Sequence, residues 1–153
     1  MKIRKANEKD IDDIDKIYEE ASMQEVKYQF PNITKEQYEK DLKKYKISRK
    51  KGFIKNIKNK NHYWIVVEEK GEIIGFGEAF VEDKKGKIEN IYVKKNNMKK
   101  GVGSKILSYL IKWIKKQNIK DVESSCYINN KPSIKLHEKF GFKPIVLKMK
   151  LVK

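Results

Sequence analysis

Cysteine occurs once in the 153 residues, at Cys126, so the chain can form no internal disulfide, and a reducing, cytoplasmic setting is expected. Arginine is almost missing as well. Arg4 and Arg49 are the two arginines among 37 basic residues, and lysine supplies the rest of the positive charge. An ammonium is a point charge without the planar fork that reads base edges, so sequence-specific nucleic-acid recognition is not expected. No apolar run approaches the ~20 residues of a membrane helix. Met1–Asp10 lacks the apolar stretch of a secretory leader. Histidine is confined to His62 and His137, far apart and without flanking ligands, which argues against a catalytic metal.

What the chain has is charge. The 37 basic residues against 21 acidic give +16, a field that attracts any polyanion: nucleic acid, anionic membrane or coenzyme A. Much of it reads as solvated surface set by composition. Lysine, isoleucine and asparagine are all abundant, as an AT-rich genome produces. Heat adaptation is not indicated, because asparagine is not depleted. With 39% hydrophobic residues and no linker or repeat, one domain over residues 1–153 is expected.

Met1–Lys5 reads as a first strand. Asn7 with Asp10, and Thr34 with Gln37, have the spacing of capping boxes that open two helices. Ile11, Ile14, Ile17 and Ala21 mark the buried face of the first; Tyr38, Leu42 and Tyr45 mark the second, which Gly52 should end. Phe53–Asn61 reads as loop or irregular helix. Tyr63–Glu68, Glu72–Glu82 and Lys87–Val93 form an antiparallel meander, with Gly75 and Gly77 suggesting a bulge. Ile106, Leu107, Leu110, Ile111 and Ile114 then line one side of a helix opened by Gly101-Val102-Gly103. Asp121–Tyr127 reads as a strand and Pro132 as the first turn of a helix ending near Phe140. Ile145, Leu147, Met149 and Leu151 alternate with Lys148 and Lys150 as in a closing strand. The whole is a mixed sheet with helices on both faces.

Chemistry concentrates between Ile88 and Leu110, where a strand, a glycine turn and a helix start follow one another. A helix N-terminus presents unpaired N–H groups and the positive dipole end, so it favours phosphate, and glycine lets the phosphate approach the backbone. Lys94, Lys95, Lys99 and Lys100 add charge there. The dinucleotide fingerprint would need a third glycine at Ile106, and the P-loop a longer spacer before Gly-Lys-Ser/Thr.

Asn130-Lys131-Pro132-Ser133-Ile134-Lys135-Leu136-His137-Glu138-Lys139-Phe140-Gly141-Phe142 resembles the closing motif of the GNAT N-acetyltransferases, Asn-x-x-Ala/Ser-Ile/Leu-x-Leu/Phe-Tyr-x-Lys-x-Gly-Phe. Upstream, Met98-Lys99-Lys100-Gly101-Val102-Gly103 resembles their cofactor motif, Arg/Gln-x-x-Gly-x-Gly/Ala. The element order agrees over nearly the whole chain, loosely from Ala21 to Asn61. The resemblance implies an α/β (α+β) fold with a mostly antiparallel sheet of six or seven strands. It also implies an acetyl-CoA-dependent enzyme. Ile91 and Val93 would pair with the pantetheine arm, and the amides of Lys99, Lys100, Gly101, Val102, Gly103 and Ser104 would hold the pyrophosphate. Asn130 and Ser133 open the second motif, Asn130 toward the pantetheine arm. His137 stands where the family has its tyrosine acid. Met98 departs from the family's arginine or glutamine, which removes one polar contact beside the phosphates.

Attack on a thioester needs a neutral amine, and a carboxylate near the thioester can take its proton. Glu89 is the expected base, because strict alternation places it on one face with Ile91 and Val93. Its place four residues before Val93, and the Asn-x-Pro-Ser-Ile form of the second motif, are similar to those of spermidine/spermine acetyltransferases. Glu78 and Glu82 are fallback bases. Glu19, Glu20 and Glu25 are expected along the acceptor site, where a polyamine, another small amine, or a peptide or protein amine is permitted. Trp64 and Trp113 read as packing, His62 as surface, and Cys126 as a buried inert thiol. A monomer or homodimer is expected. Two rivals are a basic nucleic-acid-binding module and a GNAT fold that binds acyl-CoA without turnover.

Overall fold

Asn7 caps the first helical turn, as its spacing from Asp10 predicts. Its side chain accepts from the Lys9 amide while the Asp10 carboxylate accepts from the Asn7 amide, which satisfies two orphan donors. The structure, a computed structural model, describes residues 1–151. Strand β1 (Lys2–Lys5) leads through this turn into helices α1 (Ile11–Gln29) and α2 (Lys35–Lys58). Strands β2 (His62–Glu69), β3 (Glu72–Glu82) and β4 (Lys85–Val93) follow, then α3 (Val102–Lys115), β5 (Val122–Ser124) and α4 (Lys131–Lys139).

The sheet runs β1-β2-β3-β4-β5, antiparallel except for the parallel β4–β5 pair. It is mixed and mostly antiparallel as expected, with five strands among the described residues instead of six or seven. The difference lies at the C-terminal end. Ile145–Leu151 alternates like an edge strand yet forms none, with Ile145 79% and Leu151 91% exposed. Alternation specifies a face but supplies no partner. The neighbour that would pair with this segment, β5, is three residues long rather than the expected Asp121–Tyr127.

Helices cover both faces. Val102, Ile106, Leu107, Leu110 and Ile114 of α3 pack on Ile65, Val67, Ala79 and Ile88. On the other face Ile14 and Ile17 of α1, with Phe53 and Ile57 of α2, cover Trp64, Val66 and Phe76. That second layer explains why α2 continues past Gly52, its expected end, and why Phe53–Lys58 is helix rather than loop. Phe53 and Ile57 bury their side chains only if the helix persists, and tertiary packing outweighs the roughly 1 kcal/mol helical penalty of a glycine.

Gly75 borders a bulge: Val67 pairs with Gly75 and Glu68 with Ile73, which leaves Ile74 extra on β3. A second register shift falls at Glu78/Ala79, one residue beyond Gly77. These glycines bring α3 close to the sheet: a Cβ on Gly77 would lie 2.3 Å from Ile106 Cγ2 and 3.1 Å from Leu110 Cδ1. Gly77→Ala is therefore expected to lower unfolding free energy by about 1–3 kcal/mol through overpacking. Urea denaturation measures this. An unchanged midpoint would show that α3 moves off the sheet without cost.

Candidate active site

Strand β5 pairs with β4 at Gly86↔Val122, Lys87↔Glu123 and Ile88↔Ser124, and at no later position among the described residues. At the same level β4 carries a bulge. Ile88 pairs with Ala79 and Asn90 with Glu78, which leaves Glu89 as the extra residue. A bulge bends its strand and increases its twist. The two strands thus separate into an opening bordered by Glu89–Val93. Lys94 donates its N–H to Ile74 O at 2.9 Å. By alternation along β4, the N–H and C=O groups of Ile91 and Val93 point away from β3, toward that opening.

The bulge falls on Glu89 itself. Ile88, Ile91 and Val93 all pack on the α3 side, so strict alternation fails between Ile88 and Ile91. Glu89 is exposed at the lip of the opening. Glu78 is a different kind of carboxylate, 2% exposed. It accepts from Asn90 Nδ2 at 2.6 Å and Asn56 Nδ2 at 3.2 Å, and meets His62 Nδ1 at 2.7 Å. Burial pushes its carboxyl up, and the bonds from His62 and Asn90 draw it part of the way back. Glu78 thus braces the bulge through Asn90, and His62 is its half-buried partner rather than a surface residue. Glu82 lies at the far end of the hairpin, paired with Lys85.

Helix α3 begins beside the opening. Gly101 has φ of 80°, the left-handed region that favours glycine, and no side chain caps the helix. The amides of Val102, Gly103 and Ser104 therefore lead the helix as free donors. No acidic residue lies in the first turn, and Lys99, Lys100 and Met98 are exposed around it. A Cβ on Gly103 would come 3.4 Å from Leu136 Cδ2 of α4 and 4.0 Å from Ile91 Cγ2 of β4, so this glycine faces the gap between them.

Helix α4 forms the other wall. Asn130 caps it, its Oδ1 accepting from the Ser133 amide at 3.2 Å, so the Nδ2 donors are what it retains for a ligand. His137 is 7% exposed and edge-on to Phe142. Its Nδ1 lies 2.8 Å from the Ser133 carbonyl, which can only accept, so Nδ1 carries a hydrogen. Nε2 is 2.8 Å from Ser124 Oγ. Burial works to lower the imidazole, but the Cys126 thiol and the Ser133 carbonyl outweigh it and raise it above its ordinary value. Cys126 is exposed, contrary to the buried thiol expected, with Sγ 3.5 Å from His137 Nδ1 and 3.2 Å from Ser133 Oγ.

The acids expected along one acceptor wall are dispersed. Glu19 is paired with Arg49 at 2.9 Å and Lys46 at 3.3 Å. Glu20 accepts the Lys95 amide at 2.8 Å. Both line a groove of about 620 Å³ between α1 and α2, and Glu25 does not. Glu25 instead accepts from the Tyr92 hydroxyl, whose titration burial and the Glu25 charge raise well above the ordinary tyrosine value. Across the mouth, Tyr127 donates to Gln29 Oε1 at 3.1 Å.

A sequence profile described as the Acetyltransferase (GNAT) family matches residues 16–142, most of the chain. The chain belongs to the GNAT acetyltransferase family. Solved GNAT folds lie over nearly its full length. The PaiA N-acetyltransferase of Thermoplasma acidophilum, in complex with coenzyme A, is 20% identical, with TM-score 0.78 over 93% of this chain and 89% of that one. The ribosomal-protein-S18-alanine N-acetyltransferase of Escherichia coli is 17% identical, with TM-score 0.72 over 95% and 79%. The aminoglycoside 6'-N-acetyltransferase AAC(6')-IG of Acinetobacter haemolyticus is 16% identical, with TM-score 0.70 over 100% of both chains. At these identities the likeness shows the shared fold alone.

Within this GNAT domain Gly103 lies against Leu136 of α4 and near Ile91 of β4, Ser124 at the end of β5 meets His137, and Ser133 contacts both Asn130 and His137. Sequence reasoning missed three participants: Tyr92 with its Glu25 partner, Ser124 against His137, and the Cys126–His137 contact. One signal for the last lies in the motif, since Ser133 and His137 are one helical turn apart and share a face.

Proposed function

We propose that this protein transfers the acetyl group of acetyl-CoA to a primary amine by direct attack within a ternary complex. The observation that carries the reading is the convergence of two unpaired backbone edges. The bulged lip of β4 meets the uncapped N-terminus of α3, where Gly103 adds no side chain beside Ile91 and Leu136. The coenzyme fits that geometry chemically. Its pyrophosphate suits the amides of Val102–Ser104 and the charge of Lys99 and Lys100. Its pantetheine amides suit the free groups of Ile91 and Val93 as an added strand would. Asn130 Nδ2 is available to the same arm.

The thioester then lies near the bulge. A backbone N–H on this lip, that of Val93 in our reading, polarises the carbonyl as charge develops on its oxygen. Glu89, directly or through one water, accepts the proton of the amine. The amine nitrogen bonds to the carbonyl carbon, the carbon–sulfur bond breaks, and the coenzyme leaves as thiolate. His137 returns a proton to it, through Ser124 or water, because Nδ1 is committed to the Ser133 carbonyl. The acceptor is a small amine, a polyamine, or a peptide or protein amine.

Free-thiol release from acetyl-CoA, followed across a panel of these amines, tests the proposal. Release that depends on both amine and protein, and gives acetylated amine in equal amount, is expected. If acetyl-CoA raises the melting temperature but no amine elicits thiol release, the fold binds acyl-CoA without turnover.

A further inference from the structure

Glu78 stands among apolar residues of β3. Ile74, Phe76 and Ala79 are buried along the same strand, and Glu78 itself is 2% exposed. Burying a carboxylate is unfavourable, and an apolar side chain of similar volume is often no less stable in such a place. Three donors meet this one. Asn90 Nδ2 lies 2.6 Å from Oε2, while His62 Nδ1 at 2.7 Å and Asn56 Nδ2 at 3.2 Å share Oε1. The bonds tie β4 to β2, β3 and the last turn of α2.

Asn90 is the register partner of Glu78 and directly follows Glu89, the extra residue of the β4 bulge. An extra residue has no ladder partner of its own, so its place depends on its two neighbours. Ile88 is held from one face, 5% exposed in the core beneath α3. Asn90 is held from the other face by Glu78. Glu89 is thus set between an apolar peg and a polar clamp.

We propose that Glu78 is a positioning residue for the transfer: through Asn90 it fixes the bulge and so aims Glu89 at the amine. This rests on the acetyl-transfer reading above and on Glu89 as its base. Glu78 takes no proton in this role; its oxygens act as fixed acceptors.

The test is steady-state kinetics of Glu78→Leu, Glu78→Gln and Glu89→Gln, and of Glu78→Leu combined with Glu89→Gln. The probes are acetyl-CoA with spermidine, n-butylamine and a lysine-containing peptide in turn. Glu78→Leu should lower kcat by about ten- to a hundredfold, as misplacing a catalytic group does, and leave the coenzyme-induced melting shift unchanged. Glu78→Gln should recover most of the rate. Its Oε1 still accepts from His62 and Asn56, and its Nε2 donates to Asn90 once that amide turns over. Added to Glu89→Gln, Glu78→Leu should cost little more, because residues that act through one another are not additive. Should Glu78→Leu fail to fold, Asn90→Ala, which leaves Glu78 with His62 and Asn56, takes its place with the same expectations for kcat and for the double variant.

Wild-type turnover in Glu78→Leu overturns the inference. So does a Glu78→Gln as slow as Glu78→Leu, which would make the carboxylate itself the proton acceptor. An equal loss with and without Glu89 also overturns it, since Glu78 would then serve the fold at large. In all three cases amine-dependent turnover leaves the proposed function standing. Glu89→Gln at the wild-type rate overturns the inference together with the assignment of the base. No turnover with any of the three amines overturns the inference and the proposed function alike.

Discussion

Glu89→Gln should lower acetyl transfer by roughly ten- to a thousandfold, within or below the usual range for general acid–base catalysis, and leave coenzyme affinity nearly unchanged. The substitution keeps size and removes the charge that accepts a proton. Glu89 is exposed and extra to the ladder, so no core packing and no β3 partner is lost. The loss should fall on kcat. The acidic limb of the pH–rate profile should vanish with it, because a base must be ionised to act. His137→Phe should cost less, since a thiolate is a tolerable leaving group. Its signature lies on the other limb. An acid must be protonated, so its contribution is present at low pH and fades as pH rises through its pKa. That pKa is raised above the ordinary imidazole value of about 6.5. The alkaline fall of the wild-type rate should therefore lie above about 6.5 and be missing from His137→Phe. Steady-state kinetics across pH checks both. Turnover that survives both changes at every pH would assign the proton transfers to water or to another group.

Gly103→Val should weaken coenzyme binding by at least about tenfold, equivalent to about 1.4 kcal/mol, without unfolding the protein. A Cβ at this position meets Leu136 no closer than 3.4 Å, so the protein itself accommodates it. The branched side chain instead extends between Ile91 and Leu136, where the proposed pantetheine arm and pyrophosphate would meet the backbone. Lys99→Ala should weaken binding mildly, and added salt should erase the difference, because an exposed charge is screened over roughly 8–10 Å. Calorimetric titration with coenzyme A separates these outcomes. Unchanged affinity in Gly103→Val would place the anion site elsewhere.

How much of this was legible in the sequence depends on the range of each signal. Capping boxes, the meander and the apolar face of α3 are local patterns, and all of them appear in the fold. The continuation of α2 past Gly52 was not legible, because Phe53 and Ile57 pay off only against Trp64, Val66 and Phe76 on distant strands. Alternation suggested a closing strand at Ile145–Leu151, but no ladder partner meets it. The site residues stood in recognisable motifs; their geometry did not. Period-two counting put Glu89 beside Ile91 and Val93, but the bulge that leaves it extra to the ladder depends on the distant β3 partner and was not legible. Glu78 read as a fallback base and His62 as an unrelated surface group, since nothing local reveals a 2.7 Å contact between two strands. Cys126 lies 11 positions before His137, and only the turn from β5 into α4 brings the two together.

A crystal structure of the coenzyme A complex tests the central claim most directly. The pyrophosphate should rest on the amides of Val102–Ser104, with the pantetheine arm along Ile91–Val93 and the sulfur beside the Glu89 bulge. A coenzyme bound elsewhere, or a β4–β5 gap filled by protein side chains with the coenzyme excluded, would contradict it.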